Sequence, residues 1–282
     1  MVAAVPELPE AEFGRKVAAR VGEGRRIVDV RVQEDEIVFC GLKAEQVKKA
    51  LKGRTVVQTR RRGKYIWFEL DRGPHPIFHF GMTGAFRNRD HDPLKLASHG
   101  KQVDAEWPPR FEKIWMKFEG GGELVMTNAR RLGRIRLVQD PLHEPPLSKL
   151  GFDPLTDMPS LKVFGELVAK RKTTLKGLLL NQGFAAGVGN WIADEVLYQA
   201  GIAPHRRADQ LAPEEVKALH AKLRAVVQKA VSVDARKDRF PKSWLFHHRW
   251  GKQADAQTQA GEVIEFVEIA GRTTAWVPSR QR

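Results

Sequence analysis

The apolar residues of this chain change period along its length, and that change limits its fold more than any other feature. From Ile27 to about Leu137 the sequence runs in short β-branched or aromatic stretches with Gly-rich breaks: "IVDVRV", "EIVFC", "TVVQTRRRGKYIWFEL", "PIFHF", "KIWMKFE", "GELVMT" and "RIRLV". Such spacing predicts a β-sandwich or barrel. A Pro-rich passage, "DPLHEPPLSKLGFDPL" (residues 140–155), then breaks both periodicities and marks a domain boundary. Helical patterns follow in "SLKVFGELVAKR", "TTLKGLLLN", "NWIADEVLYQAG" and "APEEVKALHAKLRAVVQKAV". Near the end, "GEVIEFVEIAGRTTAWVP" (261–278) reads as two strands joined by a Gly-containing turn. Ahead of the strands, Phe13, Val17, Ala18 and Val21 recur at helical spacing, so a short helix is expected from Pro9 to near Gly22, with Pro and Glu suited to its first turn.

Charge narrows the partner. The 282 residues carry 48 Lys plus Arg against 34 Asp plus Glu, a net charge of +14. Basic clusters lie at "RRRGK" (60–64), "ARRLGRIR" (129–136) and "AKRK" (169–172), a distribution that favours a polyanion, with nucleic acid first. No long basic amphipathic helix suggests a membrane surface, and no apolar run approaches the roughly 18 residues that span a bilayer. Cys40 is the only cysteine, so intramolecular disulfides and cysteine-based zinc sites are excluded and an intracellular chain is expected.

Chemistry is concentrated in a few stretches. In "LLLNQGFAAGVGNWIADEVLYQAGIAP" (178–204) two helical runs flank a turn holding Gly183, Gly187 and Gly189. That turn can aim backbone N–H groups and a helix N-terminus at an anion. Asn190 stands where an N-cap would, and its amide serves either as a cap or as a phosphate ligand. At the other end of the chain, "PELPE" is explained as a helix start, or as chemistry.

Six blocks taken in order, "PELPE", "RRGKY" (61–65), "HFGMTG" (79–84), "ARRLG" (129–133), "NQGFAAGVGNWIADEVLYQAGIAP" and "AGRTTAWVP" (270–278), resemble the formamidopyrimidine-DNA glycosylase and endonuclease VIII family. The resemblance implies an α+β fold: a β-sandwich catalytic domain with a leading helix in residues 1–140, a linker at 141–155, and a helix-two-turns-helix domain at 156–282. It implies a finger hairpin at about 250–278, of the zincless kind found in the plant and fungal type branch, held by packing of residues such as Ile264, Phe266 and Trp276. By the same resemblance Pro6 is the nucleophilic amine, Glu7 the neighbouring acid, Glu10 the supporting carboxylate and Lys64 a lysine at the lesion. Met82, Arg130 with Arg131 beside it, and Leu132 in place of the usual aromatic would fill the void left by an extruded nucleotide. Asn190 and Arg272 would clamp phosphates.

The activity so implied is a bifunctional glycosylase and abasic-site lyase of base excision repair, acting on damaged duplex DNA as a monomer, with no metal or organic cofactor. Formamidopyrimidines, hydantoins and abasic sites are the expected substrates. There is little room between "AVSVDARKDRF" and "PKSWLFHH" for a long loop over 8-oxoguanine. An α-amino group has a pKa of about 8, so a fraction of an N-terminal proline amine is neutral at physiological pH. Here "MVAAV" precedes Pro6, which as an internal amide has no nucleophilic lone pair; the expectation is that Val5 marks the true start, or that proteolysis trims the chain. The rival is a catalytically silent damaged-DNA-binding protein with a blocked N-terminus.

Overall fold

The computed structural model describes residues 6–89, 106–253 and 255–282; "MVAAV", on which the start-site expectation falls, lies outside the described residues. Contacts divide the chain into two compact units between Lys149 and Leu150, inside the Pro-rich passage.

The first unit opens with helix α1 (Leu8–Gly22), whose Val17, Ala18 and Val21 are buried at the spacing read from sequence. One antiparallel sheet has the order β1 (Ile27–Val32), β6 (Glu112–Phe118), β7 (Glu123–Thr127), β5 (Ala85–Arg87). The other runs β2 (Val56–Arg62), β3 (Tyr65–Leu70), β4 (His75–His79), β8 (Arg134–Val138), again antiparallel. The sheets share one core. Phe86 of the first sheet lies 5.9 and 5.0 Å, centroid to centroid, from Phe68 and Phe78 of the second. Burying each such ring contributes about 1.5–3 kcal/mol, so the arrangement is a sandwich, with α1 packed on the same core.

Two elements depart from the strand-only expectation. "EIVFC" is a turn rather than a strand: the Asp35 carboxylate accepts from Val38 N at 3.2 Å, Phe39 N closes a helical bond on Asp35 O at 3.0 Å, and Cys40 and Gly41 both have positive φ. An Asx-type bond from Asp35 competes with the strand ladder and wins. Just beyond, α2 (Ala44–Leu51) was hidden among lysines, although Ala44, Val47 and Leu51 follow helical spacing.

The second unit carries α3 (Leu161–Ala169), α4 (Leu175–Leu180), α5 (Asn190–Ala200) and α6 (Pro213–Ser232). Hydroxyls cap two of them, Ser160 from Val163 N at 3.5 Å and Thr174 from Gly177 N at 3.2 Å. Gly201 ends α5 at φ +72°. The terminal hairpin pairs β9 (Glu265–Ile269) with β10 (Arg272–Trp276) across Ala270 and Gly271, at φ +53° and +68°. Tyr198, Leu245, Ala256, Ile264, Ala275 and Val277 bury together beneath it, with Phe266 against them. Trp276 takes no part in that cluster: its ring stands edge-on to His205 at 5.3 Å. Between α6 and Trp244 the chain folds into short turns whose Phe240 joins Trp191, Trp244 and Phe246 in an aromatic cluster. Among the described residues, no helix is long and apolar enough to cross a membrane.

Candidate functional site

The acidic block at the start of α1 is buried. Pro6 to Glu10 are all in the buried class, with Glu7 only 1% and Glu10 6% exposed. Glu7 N donates to Glu10 Oε2 at 3.0 Å, so Glu10 satisfies a backbone donor that the helix itself leaves open. Burial, reinforced by the Glu7 charge, pushes the Glu10 carboxyl up to about 8, against a partial offset from Lys64. At neutral pH, then, Glu10 holds a proton, and Glu7 lies one residue outside the helix in the same buried block.

Lys64 sits in the two-residue turn joining β2 to β3, where Gly63 takes φ +57°. That turn is tied to α1. The buried Arg61 guanidinium donates to Gly63 O at 2.9 Å and to Glu12 Oε2 at 3.0 Å, and Glu12 also binds Arg15 at 2.7 Å. His79 lies across the β3–β4 ladder from Tyr65. Its Nδ1 accepts from Gly81 N at 3.1 Å, which leaves the proton on Nε2. Burial, with the charges of Lys64 and Arg134, holds it down to about 4, so it is a neutral donor at working pH. Arg61 and His79 stand inside the quoted motifs, but spacing does not disclose Arg61's bond to Glu12, 49 residues away, or the pairing of His79 with Tyr65 on the next strand.

Met82, Arg130 and Leu132 are carried on two loops of the same unit that touch. Met82 is half-buried, whereas Arg130 and Leu132 are exposed, Leu132 at 42%. Gly81, at φ +63°, lies so near the second loop that a Cβ there would sit 2.4 Å from the Leu132 backbone. Arg131 differs from expectation. Its backbone has φ +55°, and its guanidinium turns to Asp35 at 3.0 and 3.2 Å, where Lys113 also binds at 2.8 Å. Although burial works the other way, the hydrogen bonds from Arg131 and Lys113 hold Asp35 well below the usual carboxylate range. This pair tethers the loop, on which Arg130, Arg131 and Leu132 are all exposed.

In the second unit the structure brings the two expected phosphate ligands together. Asn190 is the first residue of α5 rather than its cap, which is Gly189. Its Nδ2 donates to Thr273 O at 2.9 Å, next to the exposed Arg272 at the start of β10. Asn190 Oδ1 is buried with no partner among the described residues. The glycine turn is less open than expected: Gly187 N donates to Gln182 Oε1 at 3.0 Å and Gly183 N to Asn181 Oδ1 at 2.9 Å. Behind the pair lies a buried charge cluster that sequence spacing did not reveal. Asp194 binds Lys176, receives Arg249 at 2.6 Å and accepts Ala275 N at 3.1 Å, and Lys176 Nζ donates to Asn190 O at 3.0 Å. One carboxylate thereby fixes the hairpin strand bearing Arg272 against the helix bearing Asn190.

Known proteins resemble the chain along its whole length. Residues 5–135 match the formamidopyrimidine-DNA glycosylase N-terminal domain, and residues 150–241 match the formamidopyrimidine-DNA glycosylase H2TH domain. A formamidopyrimidine-DNA glycosylase of Arabidopsis thaliana is 40% identical over 278 residues, covering 99% of this chain and 71% of that protein. One from Desulfitobacterium hafniense is 30% identical over 290 residues, covering 98% and 100%. Among solved structures, the Lactococcus lactis enzyme bound non-covalently to DNA containing an abasic site superposes with a TM-score of 0.80 at 28% identity, over 98% of this chain and 99% of that one. The same enzyme with DNA containing N7-benzyl-Fapy-dG gives 0.79 at 28% identity, over 98% and 100%. With both domains matched in order and the identity spread over the full sequence, the chain belongs to the formamidopyrimidine-DNA glycosylase family.

Proposed function

We propose that this member of a family acting on damaged DNA is a bifunctional glycosylase and abasic-site lyase of base excision repair. Pro6 is its nucleophile when it stands first in the chain. Its secondary amine attacks C1′ of the damaged nucleotide, the glycosidic bond breaks, and the departing base takes a proton from the Glu7 carboxyl. The amine gives up its proton, the C1′–O4′ bond breaks with O4′ taking a proton, and the open sugar is left as an iminium that acidifies C2′; loss of the C2′ proton drives cleavage of the C3′–O bond, and a second elimination releases the 5′ side, leaving a gap with phosphate ends. The amine is the electron sink, so the reaction calls on no metal or organic cofactor. Glu10, protonated at neutral pH, steadies Glu7 through its backbone N–H, and Lys64 and the neutral His79 meet the lesion's phosphate side.

Access to C1′ requires the nucleotide to leave the stack. Met82, Arg130 and Leu132 fill the space it vacates, and Asn190 with Arg272 holds backbone phosphate. Leucine at 132 wedges but does not stack as an aromatic would, which relaxes the preference for the opposite base. Formamidopyrimidines, hydantoins and abasic sites are the favoured substrates, since compact turns follow α6 where a long lesion-covering loop would be needed.

The observation that carries this reading is the buried Pro6–Glu7–Glu10 block with Lys64 beside it. Two forms test it, one beginning at Pro6 and one retaining residues 1–5, each incubated with abasic-site duplex and borohydride. Covalent trapping by the Pro6 form alone is the expected result. Trapping of both alike moves the nucleophile to another amine such as Lys64, and trapping of neither makes the protein a silent binder of damaged DNA.

A further inference from the structure

The two loops that bear Met82 and Arg130–Leu132 each cross from one sheet to the other. One joins β4 to β5, the other β7 to β8. A single side chain stands between them. Asn128 is fully buried, its Nδ2 donates to Phe80 O at 2.8 Å on the first loop, and its Oδ1 accepts Gly133 N at 2.9 Å on the second. The surrounding glycines are shaped to this amide: a Cβ at Gly84 or at Gly133 would lie 2.6 Å from Asn128 Nδ2. Phe80 in turn bears on the catalytic helix, where a Cβ at Gly14 would meet its ring at 2.6 Å, and Phe80, Pro6 and Glu10 line one small recess. Asn128 and Phe80 therefore link the backbones of both loops to the helix that carries the acidic block.

We propose that Asn128 is a positioning residue that holds the Met82 loop and the Arg130–Leu132 loop in one register, so that filling the duplex gap is coupled to presenting the extruded nucleotide to α1. This rests on the function proposed above. A planar amide suits the task because it donates to one loop and accepts from the other in fixed geometry. No other side chain of that size does both without a rotatable proton or a charge; aspartate loses the donor, and serine is too short to reach both.

The decisive quantity is a ratio. Single-turnover excision of a formamidopyrimidine from duplex DNA needs the gap filled, whereas cleavage of an abasic site in single-stranded DNA does not. In Asn128→Ala the ratio of the first rate to the second is expected to fall tenfold or more. Gly133→Ala, which crowds the same amide without removing it, is expected to lower the ratio in the same direction and serves if Asn128→Ala does not fold. A 2-aminopurine opposite the lesion should report a correspondingly smaller fluorescence change on binding, because insertion at the orphaned base is impaired. If both rates fall by one common factor, or if neither changes, Asn128 is structural only and the proposal is overturned. All rates are read in chains beginning at Pro6, and an otherwise unaltered Pro6 form that gives no borohydride-trapped adduct on single-stranded abasic DNA overturns the proposed function instead, whatever the variants do.

Discussion

The two units bury carboxylates to the same degree and use them in opposite ways. Asp194, 1% exposed, is met by two cations and a backbone amide and ties four chain segments together. Glu10, 6% exposed, has an acid for its closest ionisable neighbour and keeps its proton up to about 8. Burial of a charge is tolerated when it is matched and hydrogen-bonded; where it is left opposed by a like charge, the protonation state shifts instead. A matched carboxylate makes a rigid joint, and a mismatched one makes a proton reservoir. Glu195 sits between the cases: next in sequence to Asp194 and fully buried, it accepts Phe246 N at 2.8 Å, yet burial lifts it to about 7.

Three substitutions would break or sharpen that contrast. Glu7→Gln removes the proposed acid and is expected to cost as much as about 10⁴-fold in base excision, with duplex affinity retained; single-turnover excision beside a binding titration checks it, and undiminished excision removes Glu7 from the chemistry. Asp194→Ala strands Lys176 and Arg249 in the interior, which should cost about 3–5 kcal/mol, seen as a lower denaturant midpoint together with lost exchange protection at the Ala275 amide. Glu195→Gln should act through pH. The folded state binds this proton more tightly than the unfolded chain, so the group's contribution is complete below the unfolded value and disappears as pH rises through about 7. The glutamine variant should therefore gain on the wild type between pH 5 and pH 8, by up to about 3 kcal/mol, and a difference that does not change with pH would show that Glu195 is not held protonated.

What sequence could and could not disclose follows the range of the interactions. α1, every strand of the two sheets except β5, and the terminal hairpin are legible because their periods are local, and the motif positions of Glu7, Lys64, Asn190 and Arg272 can be picked out by the same local reading. α2 was missed because Lys48 and Lys49 dilute its apolar face, and β5 because three residues give no period. Asn128, Asp194, Arg61 and His79 could not be read at all from spacing. Each is defined by partners on other elements: Asn128 is 48 residues from Phe80, and Arg249 is 55 from Asp194. A buried asparagine beside "ARRLG" carries no mark in one dimension that distinguishes it from a turn residue. Arg131 shows a further limit: its motif position points to DNA but does not disclose the ion pair its half-exposed side chain makes with Asp35, 96 residues away.

The anchoring of the hairpin on Asp194 has a consequence in the circumstances under which oxidised bases arise. Thiolates that hold a metal are themselves targets of peroxide, and a finger built on them weakens as the lesions accumulate. The groups that hold this hairpin are a carboxylate, an ammonium and a guanidinium, none of which reacts with peroxide, and the chain's one thiol, Cys40, lies in the other unit. The joint that holds the hairpin is thus insulated from oxidant.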